Sequence, residues 1–166
     1  MVVAVIAAAA GAKWFLMARS LATPELLKLY GGDAGFAVLQ KPERIEAFRV
    51  SDPRRSNEPI VTEGPVAVTG SVAQELVSVL SSHQPYGWDY AKGCVPEWGA
   101  RLSFYRGTDR VDILLCFQCD LLMVSLNGTQ TTGDVEDFDP IRPQLVRAVK
   151  AIFPNDPELQ ALPEKR

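Results

Sequence analysis

ARLSFYRGTDRVDILLCFQCD, residues 100–120, decides the fold. Hydrophobic period two puts Leu102 and Phe104 on one face, Gly107-Thr108-Asp109 supplies turn chemistry, and Val111, Ile113, Leu115 and Phe117 return on one face. Two alternating runs around such a turn form a β-hairpin. LLMVSL at 121–126 continues the pattern, and Asn127-Gly128 is the strongest short hairpin signal in the chain, with TQTT as the returning strand. Gln118-Cys119-Asp120 is a poor two-residue turn, so 111–126 is either another hairpin or one long strand bent by a bulge at the second cysteine. In both readings Asp112, Leu114 and Cys116 point away from Val111 and Ile113, because successive side chains of a strand face opposite ways.

Working outward, TPELLKLYGG has the grammar of a short helix. Thr23 is its N-cap, Pro24 takes the first helical position, Glu25 lies in the first turn, and Gly31-Gly32 stops it. RIEAFRV at 44–50 is an imperfect strand, SDPRRSNEP at 51–59 a loop, and IVTEGPVAVTG is strand-like on either side of Gly64-Pro65. Ser71 and Gln74 have capping-box spacing and open a helix with Val72, Ala73, Leu76, Val77 and Leu80 on one side. A last helix starts at Asp139-Pro140. Its apolar stripe is Ile141, Leu145, Val146, Val149, Ile152 and Phe153, its solvated side is Gln144, Arg147 and Lys150, and Pro154 ends it. Asp156-Pro157 then begins a final helical turn. The order predicts a single α+β domain over residues 23–162, an antiparallel β-meander sheet covered on one face by amphipathic helices, with 163–166 as a tail.

The chain has 166 residues, 47% of them hydrophobic, enough to bury one core. A net charge of −3 with scattered Lys and Arg excludes the basic footprint of a nucleic-acid binder. Residues 1–22 form a hydrophobic leader, MVVAVIAAAAGA followed by Lys13 and WFLMA. The run is short for a spanning helix and long for a signal-peptide core. No basic residue precedes it, but small-residue cleavage patterns stand at Ala10-Gly11-Ala12 and Ser20-Leu21-Ala22. The expectation is a signal peptide or an N-terminal membrane anchor through residues 2–18, and hence an exported or membrane-anchored, extracytoplasmic protein. A hydrophobic helix packed on the domain is the plainer alternative.

Three cysteines allow four readings. A redox couple at Cys116 and Cys119 needs a helix running on from the motif to lower the thiol pKa, whereas DLLMVSL is strand-like. A zinc site has one knuckle in Cys116 and Cys119, with Cys94 and His83 able to complete a Cys3His set, but no glycine lies near that knuckle. A disulfide from Cys94 to Cys116 or Cys119 would close a loop of roughly two dozen residues, worth about 3 kcal/mol by loop entropy. The fourth reading is three reduced, buried thiols. Around Cys94 runs an aromatic-rich segment. Tyr86, Trp88, Tyr90 and Trp98, with Arg101, form a candidate binding surface, against the plainer reading that they pack the open face of the sheet. GDVEDFDP offers Asp134, Glu136, Asp137 and Asp139 as oxygen ligands for calcium, or as a solvated loop whose last acid caps a helix. No catalytic residue set can be assembled, because the sole histidine lies at a helix end.

Cys94, Val95-Pro96, Gly99, Phe104, Val111-Asp112, Cys116-Phe117, Cys119-Asp120 and Ile152-Phe153-Pro154 together resemble a group of small uncharacterised bacterial proteins. Many of these have exported or lipoprotein-like N-termini, with a lone Cys followed by a VDxxxCFxC element. The resemblance covers roughly the second half of the chain and implies export but no activity. This chain lacks their lipidated cysteine. The function expected is therefore a non-catalytic binding or interaction domain for an unknown protein or small ligand, with no cofactor. The alternative is a thiol-based zinc-binding or redox protein using Cys94, Cys116 and Cys119.

Overall fold

The computed structural model describes residues 22–52, 59–82, 86–88 and 92–165. The leader readings at 1–21, and the roles suggested for His83 and Tyr90, lie outside these residues. Helix α1, Pro24–Tyr30, forms as its caps dictate: the Thr23 hydroxyl accepts from the Leu26 N–H at 3.4 Å, and Gly31 ends the helix at φ 78°. A second helix follows that the sequence pattern did not disclose, α2 at Asp33–Gln40. It is short and has no side-chain N-cap, so its apolar run carries no helix signal of its own. Gly35 is what lets it pack, since a Cβ there would stand 1.8 Å from the Tyr30 carbonyl oxygen.

The sheet is built from β1 (Arg44–Ser51), β2 (Ile60–Ala67), β3 (Ala100–Arg106), β4 (Asp109–Cys116), β5 (Leu121–Leu126), β6 (Thr129–Gln130) and β7 (Glu136–Asp137). All its pairings are antiparallel, in the order β2-β1-β3-β4-β5-β6, with β7 also beside β5. The expected α+β meander is therefore present. Helix α3, Gly70–Leu80, lies in the connection from β2 to β3 and begins from Thr69 without a side-chain cap, so the Ser71 capping box does not form. Residues 139–153 give a short 3-10 turn, Asp139–Ile141, and then α4, Arg142–Ile152; α5 is Pro157–Gln160.

The open question at 111–126 resolves as a hairpin. Cys116 pairs with Leu121, and Phe117–Asp120 form the turn, closed by Asp120 at φ 55°, a left-handed conformation that Asp tolerates better than most residues. Asn127 at φ 52° and Gly128 at φ 82° make the next, two-residue turn. The acidic stretch near 136 is not simply a solvated loop. Glu136 and Asp137 pair with Leu122 and Leu121, and Asp137 is buried.

Side-chain alternation divides the interior in two. Ile45, Ala47, Leu102, Phe104, Val111, Ile113, Leu115, Leu122 and Val124 face the helices, joining Leu26, Leu39, Leu76, Leu80, Leu145 and Val149 in the main core. Phe48, Val50, Leu114, Cys116, Leu121 and Met123 face the other way and share a smaller cluster with Trp98 and Cys119. In the main core, burial drives up the pKa of Tyr30 and of Tyr86. Their hydroxyls lie 2.6 Å apart, and both reach the Leu80 carbonyl at the end of α3. Arg49 links β1 to the C-terminal turn, donating to Asp156 at 2.7 Å and to the Gly99 carbonyl at 2.7 Å, and pairing with Glu158.

Phe104 is fully buried at the middle of the sheet. Phe104→Ala is expected to lower stability by about 3–5 kcal/mol, read as a shift in the urea unfolding midpoint. A pH effect follows from Asp156. Its burial alone would raise the carboxyl, but the N–H of Leu159, the Arg49 hydrogen bond and the Arg49 charge hold it below its ordinary value of 3.8. Its contribution is complete above that value and is lost as pH falls through the lower folded-state value. Acid titration monitored by circular dichroism should show a flatter acid limb for Asp156→Asn.

Candidate functional site

The turn Phe117–Asp120 is tied to its surroundings on every side. Cys119 forms a disulfide with Cys94, 25 positions away, with the Cα atoms 6.1 Å apart. This is one of the two pairings the spacing allowed, and it leaves Cys116 as a free, fully buried thiol. The Glu97 N–H donates to the Cys116 sulfur at 3.3 Å. Strand alternation sends Cys116 to the face away from the helices, and the staple brings residues 92–99 down over it, with Trp98 buried against the same cluster.

Two cations take the turn's outward carbonyls. Lys92 donates to the Cys119 carbonyl at 3.0 Å and pairs with Asp137 and Asp139, each at 2.9 Å. Arg142, in the first turn of α4, donates to the Phe117 carbonyl at 2.9 Å and to the Asp120 carboxylate, and its Nε reaches the Pro163 carbonyl at 3.1 Å. Arg142 and Asp120 are only 3% and 2% exposed, so each charge is balanced inside the protein rather than by water. The Phe138 N–H closes the arrangement by donating to the Asp120 carbonyl at 2.9 Å.

Between these groups opens a cleft of about 600 Å³, with Cys94, Cys119, Gln118 and Pro143 among its walls and charged groups of both signs at its edge. Its carboxylates are engaged: Asp120 with Arg142, Asp139 with Lys92, and Glu164 with Arg147 at 3.2 Å. Pro163 and Glu164, expected as part of a tail, are thus held against α4. Gln118, exposed at the tip of the turn, also borders a smaller cleft of about 280 Å³ with Arg49, Trp98 and Glu158.

The aromatic residues expected as one binding surface are divided. Tyr86 is buried in the helix-side core and Trp88 packs on it, their rings 4.8 Å apart, while Trp98 belongs to the opposite layer. The reason is the chain's path, which crosses from the end of α3 on one face to the sheet's other face before β3 begins. Arg101 lies with Trp98 rather than with Tyr86, its guanidinium 4.2 Å above the Phe48 ring. For the zinc set, Cys94 and Cys119 are bonded to each other, and among the described residues no three His, Cys, Asp or Glu side chains converge as a metal site. The acidic run at 134–139 likewise forms no such group. Burial raises Glu136, Lys28 opposes that, and Asp134 and Asp137 add to it, while Asp137 itself is taken by Lys92.

Sequence reasoning missed Lys92, Asp120 and Arg142. One signal was available: an arginine in the first turn of a helix opposes the helix dipole, so it needs a local anion to justify its place. No protein-family model matches the chain, and no curated protein or solved structure is significantly similar to it. Among the described residues no helix is long and apolar enough to cross a membrane.

Asp120→Asn keeps a side chain that accepts the left-handed backbone, and so isolates the charge. With Arg142 left buried and uncompensated, stability is expected to fall by about 3–5 kcal/mol in urea denaturation. The apolar substitution of both partners together should recover part of that loss.

Proposed function

We propose that the chain is a non-catalytic binding or interaction domain that works outside the cytoplasm, exported or tethered through residues 2–18. The observation that carries this reading is the Cys94–Cys119 disulfide. Disulfides persist in oxidising compartments and are kept reduced in the cytosol. The layer it secures is small, with far fewer buried residues than the helix side, so a covalent staple has a clear physical task there.

The binding region in this reading is the cleft at the disulfide turn. Val95, next to Cys94 in the chain, is an exposed apolar residue, and the ion pairs around Lys92 and Arg142 hold the cleft walls in place. A partner suited to it is a protein segment or small ligand with both charged and apolar groups. The engagement of the cleft's carboxylates in ion pairs supports binding over acid–base chemistry. Thiol redox chemistry at Cys94, Cys116 and Cys119 is the second reading, supported by the free thiol of Cys116 in the same cluster as the disulfide, whereas zinc would need Cys94 and Cys119 unbonded.

Fractionation of cells expressing the full chain, with thiol alkylation under denaturing, non-reducing conditions, tests the reading. The expected result is an extracytoplasmic or membrane-associated protein with one alkylated cysteine, Cys116. A cytosolic protein with three alkylated cysteines would overturn it, as would stoichiometric zinc by elemental analysis.

A further inference from the structure

We propose that the Cys94–Cys119 disulfide is a releasable clasp, opened by a dithiol protein of the Cys-x-x-Cys class that attacks Cys94, and that its opening uncovers the thiol of Cys116. The two sulfurs of the clasp differ in access. Both border the cleft of about 600 Å³, but Cys94 is only half-buried, on a segment that runs without regular secondary structure from Lys92 to Gly99. Cys119 is 4% exposed in a turn held by Lys92 and Arg142. Attack on a disulfide requires a thiolate in line with one sulfur, so access selects Cys94 as the sulfur attacked and Cys119 as the leaving group.

The partner's first thiolate bonds to the Cys94 sulfur, and the sulfur–sulfur bond breaks with its pair going to Cys119, which takes a proton. The partner's second thiolate then attacks its own sulfur in the mixed disulfide. That step frees Cys94, which also takes a proton, and leaves the partner oxidised to a disulfide. Two electrons and two protons pass from the dithiol to this chain.

What the clasp holds makes the step consequential. Residues 92–99 form the cover over Cys116, through the Glu97 N–H to its sulfur and through buried Trp98. Lys92 anchors the start of the segment by ion pairs, and the Gly99 N–H bonds to the Leu115 carbonyl at 2.9 Å at its end. Between those anchors the staple is the covalent tie. The sheet itself does not depend on it: β4 remains paired with β3 and β5, and its other face remains packed on the helices. Reduction therefore loosens one layer and leaves the other, a local opening rather than global unfolding. The inference does not depend on what the domain binds or on its compartment, and it is tested on the purified full chain.

The chain, purified without reductant, is mixed with a reduced Cys-x-x-Cys protein whose second cysteine is replaced by serine, and the trapped adduct is mapped by mass spectrometry. The adduct is expected on Cys94; an adduct on Cys119, or none, would overturn the proposal. In parallel, the alkylation rate of Cys116 under native conditions is followed before and after reduction by the intact dithiol protein, with far-UV circular dichroism as a check on the fold. A rise of about tenfold or more with the spectrum retained is expected. An unchanged rate, or a spectrum that collapses with reduction, would refute it. With alkylation resolved by site in the mass spectrometer, Cys116→Ala should keep the Cys94 adduct, and loss of that adduct would overturn the assignment of Cys94 as the sulfur attacked.

Discussion

Strand β4 is buried on both faces, and that constraint governs the rest of the molecule. Every residue from Val111 to Phe117 is buried. Its odd positions meet a helical layer of ordinary construction, while its even positions run from polar Asp112 through Leu114 to Cys116. The polar end is satisfied within the sheet: Ser103 donates to Asp112 at 2.6 Å, and Arg110 pairs with it at 2.8 Å. The apolar end has no helix to cover it. It is covered by chain without regular structure, which is tied to its surroundings. The disulfide, the Lys92 ion pairs, the Glu97 contact to Cys116 and the Gly99 bond to Leu115 are among those ties.

This explains why so much chemistry gathers on four residues of turn. Phe117 is in the main core and Cys119 in the second cluster, so the turn is the point where the two layers share one piece of backbone. A loose turn there would let either layer slide against the other. Arg142 ties it to α4, Phe138 bonds to its last carbonyl, and Lys92 ties it to the covering segment and to β7. The buried Asp120–Arg142 pair adds little stability by itself, because desolvation opposes its attraction, but removing one partner would leave the other charge buried and unbalanced.

How much of this was legible depended on whether a signal was local. The hairpins around Gly107-Thr108 and Asn127-Gly128 were readable because turn residues and period-two alternation sit in the same few residues. Helix α1 was readable from Thr23, Pro24 and Gly31. Helix α2 was not, since its eight residues carry no cap and its packing depends on Gly35 approaching the Tyr30 carbonyl, which only tertiary structure creates. The outward direction of Cys116 followed from counting along β4. The choice of Cys119 for the disulfide depended on the turn geometry that the sequence left open. Tyr86 and Trp98 looked alike in a shared loop, and their separation reflects a crossing between faces that no local pattern encodes.

The same two-sidedness bears on how the molecule could respond to its surroundings. The helix-side layer is held by a continuous apolar cluster drawn from every helix, and that burial is insensitive to redox state and only weakly to charge. The opposite layer combines a smaller apolar cluster with a disulfide and ion pairs, and the disulfide is the tie that changes with reductant. A change in solvent conditions is therefore not distributed evenly through the protein. Reduction falls on residues 92–99 and the turn they grip, whereas acid also reaches Asp156 and its Arg49 partner at the C-terminal turn. The buried thiol of Cys116 lies within that layer, under the segment the disulfide secures.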